Sequence, residues 1–206
     1  GIDYGLALDP NDANFAFAYV RYVLPNTSAS ENGVARGMIF NTINDERLTT
    51  TANGDGTYSL SARSRELLNL DSYTIALAEF DTNDNLQLTG ERIDLVQEEY
   101  TENPVFIAKT LDIDGNKIGY LMYNAYRRNF DSELNAAFAQ FQADGVTDLV
   151  LDLRYNGGGS VETAIDLTSM ITGQFNGEII TKQQWNPEIQ AAFEAEEPDA
   201  LIDRFD

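Results

Sequence analysis

The sequence has no cysteine and no histidine among its 206 residues. Without histidine there is no Ser-His-Asp triad, no imidazole base and no imidazole metal ligand. Without cysteine there is no thiolate nucleophile, disulfide or thiolate zinc site. Basic residues are also scarce: 13 Lys and Arg face 34 Asp and Glu, for a formal charge of −21. Such a surface repels phosphate backbones and anionic lipid, which argues against nucleic acid and membrane-surface partners. No apolar run approaches the roughly 18 residues a membrane-spanning helix needs. Chemistry in this chain is left to Ser, Thr, Lys, Tyr, Asp, Glu and backbone amides.

The acids are spread rather than gathered in a tail. Residues 1–103 carry 17 acids and 6 bases, and residues 104–206 carry 17 and 7. Solubility is the simplest reading of that spread. With 43% hydrophobic and 11% aromatic residues, the composition is that of a folded chain.

The first half reads as short strands and turns. Phe15 to Val23 is aromatic and β-rich and ends at Leu24-Pro25. Residues 26–33 predict a turn and a short capped helix closed by Gly33. Met38 to Ile43 is a strand, and Asn53-Gly54-Asp55-Gly56 is a strong hairpin signal. Ala62 to Leu70 predicts a helix with Leu67, Leu68 and Leu70 inward. Tyr73–Phe80 and Leu86–Val96 are strands joined by a turn at Asp81–Asn85. From Glu98 to Pro104 the pattern stops, and a domain boundary is placed there.

Beyond it the periodicity changes. A hairpin at Asp114–Asn116 leads into a strand over Ile118–Asn124. Leu134, Ala137, Phe138 and Phe141 mark one face of a helix over Ser132–Ala143. Val146 to Leu153 reads as a buried parallel strand. A tight turn, Asn156-Gly157-Gly158-Gly159, opens a helix carrying Val161, Ala164, Ile165, Thr168 and Ile171. Strand, helix, strand, glycine turn and helix in this order predict α/β organisation. The last nineteen residues hold seven acids and one base and close no evident element.

The stretch Leu149–Ser160 carries the most chemistry. A strand delivers the chain to a glycine turn at a helix N-terminus, where free N–H groups sit beside the positive end of the helix dipole. A phosphate cradle and an oxyanion hole both need that arrangement. The phosphate motif fails because no Gly-Lys-Ser/Thr follows, and the dinucleotide fingerprint fails because Glu162 stands at its third glycine. Glu162 also occupies the second glycine of a nucleophile elbow around Ser160, so Ser160 is read as a helix N-cap. Calcium loops fail as well. The run from Asp81 has Leu86 and Arg92 at the sixth and twelfth positions, and the run from Asp112 has Lys117 at the sixth. Both are read as hairpin turns, and no metal or cofactor is expected.

Asp152-Leu153-Arg154-Tyr155-Asn156-Gly157-Gly158-Gly159, with Ile118-Gly119-Tyr120 and the intervening helix, resembles the carboxyl-terminal processing, or tail-specific, proteases. The glycine triplet is similar to that of their Bacteroidetes-type branch. Ahead of the catalytic core these enzymes carry a PDZ domain, and Tyr4-Gly5-Leu6-Ala7-Leu8 resembles its carboxylate-binding loop. Val23 to Gly37 is similar to a second PDZ run, with Met38 in place of the usual Asp.

The resemblance implies a mixed α/β fold. Residues 1–98 would form a PDZ-like, β-rich peptide-binding domain, and residues 104–206 the first part of a crotonase- or ClpP-like (ββα) protease core. It implies a serine endopeptidase whose Ser/Lys dyad suits a chain without histidine. Yet nothing here matches the Ser-rich nucleophile run, and Lys109, Lys117 and Lys182 do not correspond to the catalytic lysine. Only an oxyanion-hole role is carried over, to Gly158 and Gly159.

The chain is therefore expected to be a fragment that is inactive alone. Tyr4, Gly5, Leu6, Ala7, Leu8, Leu67 and Leu68 are the expected peptide-binding residues, and the partner is a polypeptide held by its C-terminus. Location would be the cell envelope, in the periplasm or as an outer-membrane lipoprotein. The alternative function is a non-catalytic peptide-binding protein of the envelope.

Overall fold

Alternating apolar and polar residues build the first half of the chain into antiparallel strands. A computed structural model describes residues 1–197 and 199–206. The chain divides into two compact units, Gly1–Glu102 and Asn103–Asp206. The first contains β1 (Ile2–Asp9), β2 (Asp12–Val23), α1 (Ser28–Glu31), β3 (Ile39–Ile43), β4 (Glu46–Arg47), β5 (Thr50–Ala52), β6 (Tyr58–Leu60), α2 (Ala62–Leu68), β7 (Ser72–Phe80) and β8 (Leu86–Val96).

Its main sheet runs β1-β2-β3-β7-β8, with β4 beside β3, so β1 and β8 are edge strands. β5 and β6 form a separate antiparallel hairpin. Side chains alternate across a strand, so Ala16, Ala18 and Val20 fall on one face. They bury there with Phe40, Ile43, Leu48, Ile75 and Leu77. Each large side chain removed from water in this core contributes roughly 1.5–3 kcal/mol. α2 closes the core with Leu67, which is 1% exposed. Ser61 caps that helix by accepting the Ser64 amide at 3.1 Å.

The second unit holds β9 (Val105–Ile113), β10 (Asn116–Tyr123), α3 (Asp131–Ala143), β11 (Asp148–Asp152), α4 (Val161–Ile171), β12 (Ile179–Lys182), α5 (Pro187–Glu196) and β13 (Ile202–Arg204). β9 and β10 form an antiparallel hairpin, and β11 joins β10 in parallel across α3. Leu121 and Tyr123 of β10 pack with Leu134, Ala137 and Phe141 of α3 and Leu167 of α4. That packing fixes where the turn after β11 ends up.

Two expectations change here. The run Val146–Leu153 is not uniformly buried: Val150 is 49% and Leu153 37% exposed. β11 is an edge strand with β10 on one side only. The acidic last stretch does form structure. Asn186 accepts the Ile189 amide at 3.0 Å and Pro187 occupies the first turn, which starts α5. β13 then pairs antiparallel with β12.

The two acidic runs are hairpin turns. Asp81 accepts the amides of Asn83 and Asn85, and Asp112 accepts the Gly115 amide and the Lys117 ammonium.

Candidate functional site

β11 ends at Asp152, and the chain turns there on a short ladder of local bonds. The Asn156 amide donates to the Leu153 carbonyl at 2.9 Å. Its side chain then ties the turn to β10 and to itself. Asn156 Nδ2 donates to the Tyr123 carbonyl at 3.0 Å, and Asn156 Oδ1 accepts the Gly158 amide at 2.8 Å. Tyr126 and Gly159 lie side by side in parallel orientation. The Tyr126 amide donates to the Gly158 carbonyl at 3.0 Å, and the Ser160 amide donates to the Tyr126 carbonyl at 2.9 Å. Those two bonds lie on either side of Gly159, so its own N–H points away from Tyr126.

The turn needs glycine at two places. Gly158 and Gly159 have φ of +101° and +140°, where side chains are strained. Around Gly158 there is room, whereas a Cβ on Gly159 would fall on the Tyr126 carbonyl. The close approach of the two backbones is therefore built on Gly159.

α4 begins directly after the turn. Ser160 caps it by accepting the Thr163 amide at 3.2 Å. The hydroxyl read as an N-cap is engaged as one. Thr163, fully buried, donates to Asp131 at 3.0 Å and links α4 to the start of α3. The Gly159 N–H thus sits exposed at the positive end of an 11-residue helix. Among the described residues, the amides of Gly157 and Gly159 have no acceptor, while that of Gly158 is held by Asn156.

Asp152 anchors the other side of the turn. Its carboxylate, 8% exposed as a residue, accepts the Arg154 guanidinium at 2.6 and 3.0 Å. It also accepts the Arg154 amide at 3.1 Å and the Tyr120 hydroxyl at 2.7 Å. The Arg154 guanidinium, aided by these other donors, holds the Asp152 carboxyl far below the usual carboxylate range although burial opposes it. Asp152 and Arg154 are thus a bracket for the turn, and Tyr120 is the β10 residue that completes it. At the mouth of α4, Glu162 pairs with Arg128.

Asn156 joins the turn to β10 through one side chain, so its loss has a defined cost. Asn156→Ala removes one partly buried and one exposed hydrogen bond and should destabilise the second unit by about 1–2 kcal/mol. Trp185, the only tryptophan, reports that unit's unfolding in denaturant. An unchanged midpoint would show that the turn does not depend on this side chain.

The other expected site residues lie in the first unit. Tyr4 to Leu8, read as a loop of successive amides, is part of strand β1. The Ala16 and Val20 amides are taken on the β3 side of β2, by the carbonyls of Leu48 and Met38. The Phe17 and Tyr19 amides therefore face β1, opposite Ala7 and Gly5. Only the Tyr4, Leu6 and Leu8 amides point outward, because a strand alternates and cannot present consecutive donors on one side.

A groove of about 460 Å³ brings Leu6, Ala7 and Leu8 together with Tyr58 and Arg65. It does not include Leu67 or Leu68, which pack in and against the core. Tyr4 is half-buried with its ring 6.0 Å from that of Phe40, and Gly5 makes room for the Tyr19 ring.

Sequence reasoning missed the bond from Tyr120 to Asp152, the role of Tyr126 and the bridging role of Asn156. The first two contribute through contacts between separated segments. Asn156 alone carried a local signal, because an Asn two residues before a glycine amide can accept it as an Asx turn.

Residues 117–202 match the family model described as Peptidase family S41. A carboxyl-terminal-processing protease of Picosynechococcus sp. is 30% identical over 99 residues, which is 48% of this chain and 22% of that protein. A crystal structure of a Bacteroides fragilis protein assigned to the S41 proteases superposes with a TM-score of 0.70 at 22% identity. It covers all of this chain and 50% of that one. At that identity the likeness is one of fold. The chain spans about a fifth of the curated relative and half of the solved one.

Proposed function

We propose that this chain, whose residues 117–202 match the model of peptidase family S41, forms the oxyanion-stabilising and peptide-capturing part of a serine endopeptidase. The observation that carries this reading is the turn at 156–159. It lies in the matched segment and presents the Gly159 N–H, which has no acceptor among the described residues, at the N-terminal end of α4.

When a nucleophile adds to a peptide carbonyl, negative charge develops on the oxygen. A fixed N–H at 2.7–3.1 Å from that oxygen, reinforced by a helix dipole, stabilises the charge without reorganisation. Gly159 takes that role in this proposal. Gly158, the other expected donor, contributes its carbonyl to Tyr126 and its amide to Asn156, so it shapes the turn. The nucleophilic serine and a lysine base are assigned to chain beyond these 206 residues. A lysine serves as base when its surroundings lower its pKa.

Residues 1–98 are read as a PDZ-like module that holds the substrate by adding a strand at the open edge of β1. Edge strands with unpaired amides take such strands readily. An envelope location belongs to the same proposal. Among the described residues no helix is long and apolar enough to cross a membrane.

The test is the longer protein incubated with an unfolded polypeptide, with products mapped by mass spectrometry. Internal cleavage is expected, and Ser160→Ala should leave its rate unchanged. Binding without any cleavage would replace the enzyme with a non-catalytic peptide-binding protein.

A further inference from the structure

The groove beside β1 has a second wall that the strand-addition reading does not require. Three consecutive residues of β1, Leu6 to Leu8, line it, and so do three of β6, Tyr58 to Leu60. Successive side chains of a strand point to opposite faces, so three in a row place the groove at each strand's edge, and Ala16 of β2 and Thr50 of β5 also line it.

The backbone polarity of β6 follows from its ladder. The Ser61 amide donates to Thr49 and the Asn53 amide to Thr57. Ser59 therefore pairs inward with Thr51, and the amides of Tyr58 and Leu60 point away from β5. Leu6, Leu8 and Tyr58 are 44, 41 and 41% exposed. Both walls thus offer open amides and apolar side chains.

The groove also holds a cation. Arg65, on the exposed side of α2, donates to the Leu60 carbonyl at 2.5 Å. Arg21, Arg47, Arg63 and Arg92 of this unit each pair with a carboxylate. Among the described residues Arg65 pairs with no carboxylate, although residues 1–103 hold 17 acids to 6 bases. In so acidic a unit, a guanidinium outside any ion pair among the described residues and set in a largely apolar groove is complementary to an acidic ligand.

We infer that the groove clamps an extended polypeptide between the edges of β1 and β6, and that Arg65 selects an Asp or Glu side chain within an otherwise apolar segment. This rests on the peptide-capturing reading above and adds its specificity. Apolar side chains of the segment meet Leu6, Leu8 and Tyr58, and its backbone bonds alternately to both walls. Arg65 acts as a specificity residue and takes no part in cleavage.

The experiment uses the 206-residue chain and apolar dodecapeptides with one central Asp or Asn, each made with a free and an amidated C-terminus. Anisotropy should show the Asp peptides binding about three- to tenfold more tightly than the Asn peptides, whichever terminus they carry. Arg65→Gln should erase that ratio and leave the Asn peptides unaffected, while Arg65→Lys should keep part of it. Exchange protection should rise on binding at the amides of Leu6, Leu8 and Tyr58 together.

Binding with no Asp preference, or a preference that survives Arg65→Gln, overturns the role of Arg65 and leaves peptide capture standing. A preference that follows the free terminus overturns side-chain selection. Protection at β1 alone overturns the second wall. Absence of binding by every peptide overturns the capture reading itself.

Discussion

Gly159→Ala is expected to destabilise the second unit by roughly 2–4 kcal/mol, about twice the cost of replacing Gly158 beside it. The positive φ alone costs about 1–3 kcal/mol for a residue with a side chain. The added methyl must also displace the Tyr126 carbonyl, which breaks the bond from the Ser160 amide and shifts the start of α4. Gly158→Ala is the control. It shares a positive φ, but its Cβ meets open space, so about 1–2 kcal/mol is expected.

Trp185 fluorescence in a denaturant series separates the two outcomes. Equal losses would mean that the contact between Tyr126 and Gly159 contributes nothing beyond backbone strain. Under the proposed function the same pair bears on catalysis in the longer protein. If the Gly159 N–H meets the developing oxyanion, its displacement should lower kcat by about 10²–10³-fold. Gly158→Ala should retain most activity.

Asp152→Asn is expected to cost about 2–3 kcal/mol at neutral pH, because it removes a buried carboxylate that accepts a guanidinium, an amide and a hydroxyl. The sign of the pH dependence follows from the depressed folded pKa. Such a group contributes its full stability above the unfolded value of about 3.9 and loses it as pH falls towards the folded value. The gap between wild type and Asp152→Asn should therefore be flat from pH 7 to about pH 5 and shrink below about pH 4. A gap that stays constant down to pH 3 would mean that Asp152 acts by shape and hydrogen bonding alone. Arg154→Gln should remove most of the same gap, since the guanidinium is the main reason the carboxyl stays charged.

Much of the fold was legible because its signals are local. Alternation in Phe15–Val23 and Tyr73–Phe80, the Asn-Gly-Asp-Gly hairpin and the apolar stripe of α3 each act within a few residues. Those elements lie close to where periodicity placed them. β1 was not legible as a strand. Tyr4–Leu8 matched a loop pattern, and only pairing with β2 settles which of its amides are free.

The burial of β11 was overestimated for a related reason. An apolar run tells of two covered faces, whereas Val150 and Leu153 lie in or just past an edge strand. The turn at 156–159 was readable as a place where amides emerge. Which glycine presents its amide was not, because Asn156 and Tyr126 decide it through bonds to β10 and to the segment following it. Arg65 was silent for the same kind of reason, since its setting depends on β1 and β6 together.

In the proposed division of labour this chain supplies the turn and the groove, and the bond-breaking serine and its base lie outside it. The most direct measurement compares the purified 206-residue chain with the longer protein on one unfolded substrate at equal concentration. No turnover above buffer is expected for the chain, and clear internal cleavage is expected for the longer protein. Turnover that stays with the chain through purification, and is lost in Ser160→Ala, would contradict that division by placing the nucleophile within these residues.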